Sequence, residues 1–204
     1  MAEIAYKAKL YPTEEQRILF NKTFGCSRFV YNKCLDERMV RYEATGETFD
    51  RYKCAKFIVE MKKNPEYKWL KEVDSTALQR AVEHLDEAYQ RFFKHLGGYP
   101  KFKKKSNKQS YTSVNNHQSI KIFDDCIQLP KVGKVKCKYC NKPKGRVLNA
   151  TVSRDCSGEY FVSVCCTDVE IEPLAKTKQE IGIDMGRHTY CTFSNGTKLR
   201  IRSF

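Results

Sequence analysis

Acidic residues are in short supply in this chain. There are 24 Asp and Glu against 38 Lys and Arg in 204 residues, a formal charge of +14. That imbalance points to a polyanionic partner, most simply nucleic acid. Long apolar runs are missing, and no basic amphipathic helix of the membrane-surface type stands out, so no membrane partner is expected. The first residues, Met1-Ala-Glu-Ile-Ala-Tyr6, lack the apolar core of an export signal. Without that signal, the ten cysteines do not read as a disulfide framework. Cys165 and Cys166 are adjacent in a strand-like run. Reduced thiols acting as small apolar side chains, in a cytoplasmic, nucleoid-associated protein, are the expectation.

Metal-ligand pairs are scarce too. Cys137-Lys-Tyr-Cys140 invites zinc, but a structural site takes four ligands and usually a second close pair. No other CxxC and no HxxxH occurs, and Cys126, His117, Cys156 and Cys165 are scattered single candidates. The four histidines, His84, His95, His117 and His188, form no cluster. Zinc is therefore not expected. No nucleophile triad, Gly-rich phosphate loop or internal repeat is visible.

What is present is polarised. Residues 101–148 hold thirteen Lys and Arg against two Asp, a net +11 of the total +14. The first half is nearly balanced and reads as helical. Ala5 to Tyr11 alternates as a short strand, and Thr13-Glu-Glu-Gln16 forms a capping box. The Phe20/Phe24 pair gives a first helix. Gly25 is expected to interrupt it, with a second helix from Phe29 to about Tyr42 and Thr45-Gly46 as its stop. Asp50 caps a third helix to about Lys62. Trp69-Leu70 reads as an apolar anchor in the link that follows. Asp74 or Ser75 caps the clearest helix, whose apolar positions run from Leu78 to Leu96 at spacings of 3, 4 and 7. After Pro100 come strand-like runs at 120–123, 126–129, 132–139, 146–154 and 160–167, with a hairpin loop at 155–158 and a linker at 170–178. Ile181-Gly-Ile-Asp-Met-Gly186 is one more strand, with Asp184 projecting from it. Tyr190 to Phe193 is another, followed by a Ser194-Asn-Gly196 turn.

These residues, in this order, resemble the OrfB/TnpB family of transposon-associated proteins. The resemblance is carried by Leu10-Tyr-Pro12 with Gln16, by Gly25-Cys-Ser-Arg-Phe-Val-Tyr-Asn32, and by Trp69-Leu with Val73-Asp-Ser75 and Leu78-Gln79. It continues through Tyr99-Pro-Lys-Phe-Lys103, Leu129-Pro-Lys-Val-Gly133, Val152-Ser-Arg with Gly158-Glu-Tyr-Phe-Val162, and Gly182-Ile-Asp-Met-Gly186 with Ser194-Asn-Gly196. It implies an RNA-guided DNA endonuclease, with guide RNA and double-stranded DNA as partners.

The implied fold is α+β. Residues 1–11 give the first strand of a wedge-type antiparallel β-barrel, residues 12–98 an inserted helical recognition domain, residues 99–172 a basic loop and the remaining barrel strands. Residues 173–204 are the start of a RuvC-like, ribonuclease H-type sheet. The chain is expected to stop after the first nuclease motif, with Arg200-Ile-Arg-Ser-Phe204 departing from the family's continuation. A separate complementing C-terminal half is then a possible partner.

Asp184 matches the family's first Mg²⁺ ligand. A two-metal site needs several carboxylates, so Mg²⁺ is expected in the complete family protein and not held stably by this chain. The alternative is a structural Asp accepting hydrogen bonds from the Gly186 turn. Lys101, Lys103, Lys104, Lys105 and Lys108 are the candidate phosphate contacts, and Phe102, Tyr99 and Tyr111 the candidate stacking rings. The alternative is a solvated lysine loop. Ser75, Thr76 and Gln79 open the clearest helix, where a phosphate or an adenine edge would be met; otherwise they are a cap and surface formers. Arg28, Tyr31 and Asn32 lie close together on the second helix and match nucleic-acid contacts of the family; packing is the alternative.

Overall fold

A computed structural model describes residues 2–106, 108–170, 180–186 and 189–199. The chain divides into two compact units, residues 1–170 and 171–204. The linker expected at 170–178 falls almost wholly outside the described residues.

The first unit begins with β1 (Ala2–Tyr11), three residues longer at its start than the alternation from Ala5 suggests. Ala8 and Leu10 are buried and Lys7 and Tyr11 exposed, as alternate faces of a pleated strand require. Helix α1 (Glu14–Thr45) follows. Its N-terminus carries the capping box: the Thr13 hydroxyl accepts from the Gln16 amide, and the Gln16 side chain accepts from the Thr13 amide. Gly46, at φ 70°, closes the other end in the left-handed conformation that glycine adopts without strain.

The break expected at Gly25 is absent. Helix α1 is one continuous element because a single buried stripe passes through it: Phe20, Phe24, Ser27, Tyr31, Cys34, Leu35 and Arg38. Gly25 lies off that stripe, and a Cβ there would meet nothing within 4 Å. A mid-helix glycine costs about 1 kcal/mol relative to alanine, which packing along the stripe outweighs. The stripe changes what it packs against. Phe20 and Phe24 belong to the core under the sheet, whereas Val30, Cys34 and Leu35 belong to a second core among the helices.

Helix α2 (Arg51–Lys63) is capped by Asp50, whose carboxylate accepts from the Lys53 amide at 2.8 Å. A 3-10 segment at Pro65–Lys71 follows, with Leu70 fully buried and Trp69 partly exposed. Helix α3 (Ser75–Phe93) is capped by Asp74 rather than Ser75. Its buried face ends at Tyr89. Phe93 and Leu96, apolar by spacing, are exposed, because the helix stops at Phe93 and His95 turns the chain at φ 56°.

Strands β2 (Gln109–Val114), β3 (Lys121–Ile122), β4 (Cys126–Leu129), β5 (Gly133–Tyr139), β6 (Arg146–Arg154) and β7 (Tyr160–Val169) complete the unit. With β1 they form a curled seven-stranded antiparallel sheet in the order β2-β6-β7-β1-β5-β4-β3. Its inward residues, among them Val135, Val152, Val162 and Val164, pack with Phe20, Phe24 and Ala77. Gly145 at φ 82° is required at the start of β6, since a Cβ would sit 2.3 Å from the Thr167 carbonyl oxygen.

In the second unit, β8 (Ile183–Asp184), β9 (Cys191–Phe193) and β10 (Lys198–Leu199) form an antiparallel sheet in the order β10-β9-β8. Ser194 ties it together: its amide donates to the Gly182 carbonyl at 2.8 Å and its hydroxyl accepts from the Gly182 amide at 3.0 Å.

Candidate nucleic-acid interface

The basic stretch is irregular but not loose. Tyr99 packs edge-on against Tyr89 and Phe92, and its hydroxyl lies 3.0 Å from that of Tyr89. Four residues on, Asn32 grips the backbone of Lys103 twice. Its amide nitrogen donates to the Lys103 carbonyl at 3.0 Å, and its oxygen accepts from the Lys103 amide at 2.8 Å. The Lys103 ammonium stands 4.1 Å from the centroid of the buried Tyr31 ring, a cation–π contact. Burial holds its pKa below the usual lysine range. Arg28 donates to Gln109 at 2.7 Å, and Gln109 donates to the Lys105 carbonyl at 2.9 Å.

Arg28, Tyr31 and Asn32, one turn apart on α1, thus pin the loop that carries the lysines. Tyr31 and Asn32 spend their side chains on this inward task. Lys101, Phe102, Lys104, Lys105 and Lys108 are left exposed. Pinning lowers the conformational entropy that a lysine loop would lose on binding.

Tyr111 does not join them. It is 4% exposed, packed against Phe20 and Phe24, and burial pushes its phenol pKa upward. The expected stacking role is replaced by a core role, because residues 109–114 form an edge strand whose alternate side chains turn inward.

At the start of α3 the groups are also committed. Asp74 accepts from the Thr76 amide at 3.1 Å and from its hydroxyl at 2.6 Å. The Thr76 hydroxyl in turn accepts from the Val114 amide at 3.0 Å, joining α3 to β2. Ser75 accepts from the Lys62 ammonium at 3.1 Å. Gln79 is exposed.

Two groups of basic residues are scattered in sequence and brought together by the fold. The first lies on the outward face of the sheet. Lys7 and Lys9 on β1 and Lys134, Lys136 and Lys138 on β5 share that face, with Lys9 opposite Lys138 and Tyr11 opposite Lys136. Lys7 stands over the Phe161 ring at 4.6 Å, and Lys9 pairs with Glu159. Period-two alternation was the available signal for these. The second group is a pocket of about 340 Å³ walled by α1, α3, β2 and the basic loop. Among the described residues no carboxylate lines it; Arg28, Arg80, His84, Lys103, Lys104 and Lys108 do.

Cys137 is buried in the sheet core and Cys140 is exposed beyond the strand end, so the two thiols sit in different environments. All ten cysteines carry free thiols. Among the described residues, no three His, Cys, Asp or Glu side chains come together as a metal site. Asp184 is exposed on β8. Among the described residues its carboxylate accepts no hydrogen bond, including none from the Gly186 turn. No helix among those residues is long and apolar enough to cross a membrane.

Comparison with known proteins adds lineage. A family model for OrfB proteins, described as a helix-turn-helix domain, matches residues 1–47. That span holds β1 and an unbroken α1 here. A proposed RNA-guided DNA endonuclease of Streptomyces pristinaespiralis is 34% identical over 199 residues, which is 96% of this chain and 49% of that protein. InsQ of Escherichia coli (strain K12), also named as a proposed RNA-guided DNA endonuclease, is 30% identical over 195 residues, or 95% of this chain and 48% of its own length. Virulence protein VsdF of Salmonella dublin is 39% identical over 113 residues, covering 51% of this chain and 95% of VsdF. The chain spans about half the length of the two endonuclease relatives. With the likeness running through the helices, the sheet and the Asp184 strand alike, the chain belongs to the OrfB/TnpB family.

Proposed function

We propose that this chain is a nucleic-acid-binding portion of a TnpB-like transposon protein that holds guide RNA and target DNA and does not cut DNA by itself. The observation that carries the reading is the pinned basic loop. Exposed lysines at 101, 104, 105 and 108 are fixed on α1 by Asn32 and by the Arg28–Gln109 link. Phosphate neutralisation by such a set releases counterions and gives binding that falls steeply with salt. In this reading β1 and residues 99–172 form the wedge-type barrel, residues 12–98 the recognition insert, and residues 173–204 the opening strands of a RuvC-like sheet. Gln79 and Ser75 meet the short motif beside the target, and Phe102 stacks on an unpaired base.

The described residues do not assemble the set that a pair of Mg²⁺ ions needs. Hydrolysis by two metals needs several converging carboxylates, and among the described residues no three His, Cys, Asp or Glu side chains come together. A second reading is a nuclease completed by carboxylates from a further polypeptide segment. The exposure of Asp184 on its strand favours it.

The test is binding and cleavage with the purified chain. Affinity for RNA or DNA is expected to fall by orders of magnitude between about 50 and 200 mM salt, with no Mg²⁺-dependent cutting. Affinity flat in salt would refute the binding role. Robust cutting lost in Asp184→Ala would refute the claim that the chain does not cut.

A further inference from the structure

The pocket between α1, α3, β2 and the basic loop holds a feature that packing does not explain. Ser27 is 7% exposed, lines the pocket, and its hydroxyl has no hydrogen-bond partner among the described residues. On the facing helix, the Nε of Arg80 is likewise buried and unpartnered, while its Nη1 is paired with Glu83 at 2.5 Å. A buried polar group without a partner is costly, and native proteins keep few of them without a use.

The surroundings define what would satisfy these groups. Phe24, Ala77, Ala81 and Tyr111 supply apolar lining, and Arg28, Lys104 and Lys108 supply cationic lining. A volume of about 340 Å³ falls at the small end of ordinary small-ligand sites. Half apolar and half cationic, without a lining carboxylate, is the complement of a planar apolar group joined to a phosphate. His84 also lines the pocket, and desolvation foremost, then the nearby Lys103, lowers its pKa. Ser27 and Arg80 are placed to meet the edge of a base, and the lysines its phosphate.

We propose that this pocket receives one unpaired nucleotide of a single strand, base inward against Phe24 and Ala81, phosphate outward at Arg28, Lys104 and Lys108. The inference rests on the nucleic-acid-binding reading and adds a specific seat to it. Turning a nucleotide out of a strand costs least where the strand is already unpaired, so single strands are the class that fits.

Two arms test it on the full chain. In the first, 5′-AMP, ribose 5-phosphate, adenosine and inorganic phosphate are titrated by calorimetry. AMP is expected to bind at least about tenfold tighter than the others. Arg80→Gln and, separately, Lys108→Gln should each weaken it by about tenfold, the effect of losing one charged hydrogen bond. Lys108 is exposed, so its variant stays folded even if Arg80→Gln does not. Phosphate binding as tightly as AMP, or no AMP binding, overturns the pocket. In the second arm, single strands carry 2-aminopurine at successive positions. A fluorescence change confined to one position supports the seat, and uniform signals at all positions overturn it. Strands that bind with steep salt dependence while both arms fail would sink the pocket alone. Strands that do not bind at all would sink the broader reading, whatever AMP does.

Discussion

Residues 133–139 and residues 181–185 are written alike, small or apolar side chains alternating with polar or small ones, and they end in opposite states. In β5, Val135 and Cys137 are 0% and 5% exposed. Around β8, Ile181, Ile183 and Met185 are 54%, 57% and 61% exposed. The difference lies in what each strand finds. β5 is paired on both sides, by β1 and β4, and its inward face meets the core beneath the sheet. β8 pairs with β9 alone, over two residues, in a unit where Cys191 is the buried apolar residue among those described. Alternation makes a face; only a second layer buries it. Among the described residues, the buried apolar side chains are therefore concentrated in residues 2–170.

The sharpest way to break that comparison is one truncation in each unit. Phe20→Ala, at a fully buried ring touching Tyr111 and Tyr160, is expected to cost about 3–5 kcal/mol. Ile183→Ala is expected to change stability by less than about 0.5 kcal/mol. Urea denaturation followed by circular dichroism compares the two, and equal losses would dissolve the distinction.

Within the first unit the same contrast holds for charge. Arg38 is buried, donates to Asp86 at 3.0 Å and stacks on Tyr89. Asp86→Ala strands that cation and should cost about 2 kcal/mol. Breaking the exposed Arg146–Asp168 pair should cost between about 0 and 1 kcal/mol. Gly25→Ala should stabilise by about 0.5–1 kcal/mol, the helix being continuous with free space beside the glycine; a loss would mean that α1 is broken there after all.

The smallest effect is on acid sensitivity. Burial lowers the His84 pKa below its usual 6.5. The unfolded chain therefore takes the proton first, and this residue subtracts stability as pH falls from about 6.5 through its lower folded value. His84→Gln should flatten that part of the stability curve, and an unchanged slope would reject the assignment.

Much of this architecture is legible in the residues. The capping box at Thr13, the caps at Asp50 and Asp74, and the bounds of β4 and β6 follow from local chemistry that tertiary structure left alone. Gly25 misled, because a propensity cost of about 1 kcal/mol is small beside a stripe of buried side chains. Strand β2 escaped notice because Gln109-Ser-Tyr-Thr-Ser-Val114 is polar and follows a lysine run; its strand character comes from pairing with β6. The same pairing turned Tyr111 inward. For the candidate site, the lysines of 101–108 stood out as a run. Of the residues that hold them, Asn32 lies 71 residues from Lys103, and Gln109, next to the run, is anchored by Arg28 from 81 residues away, so no local pattern links them. Ser27 and Arg80 line one pocket from two different helices, so no window of sequence contains it.

The place of β1 has a consequence for how the molecule is made. This strand is synthesised before the rest of its unit, yet it sits in the interior of the sheet between β5 and β7. Its partner residues in β7, such as Val162 opposite Ala8, emerge some 150 residues later. At roughly 5–20 residues per second, that leaves the β7-facing edge of β1 unpaired on the ribosome for roughly eight to thirty seconds. The helices encoded in between have mostly local contacts and form in far less time. The helices are complete before the sheet closes, and β1 is held open until β7, the last strand of its unit, arrives.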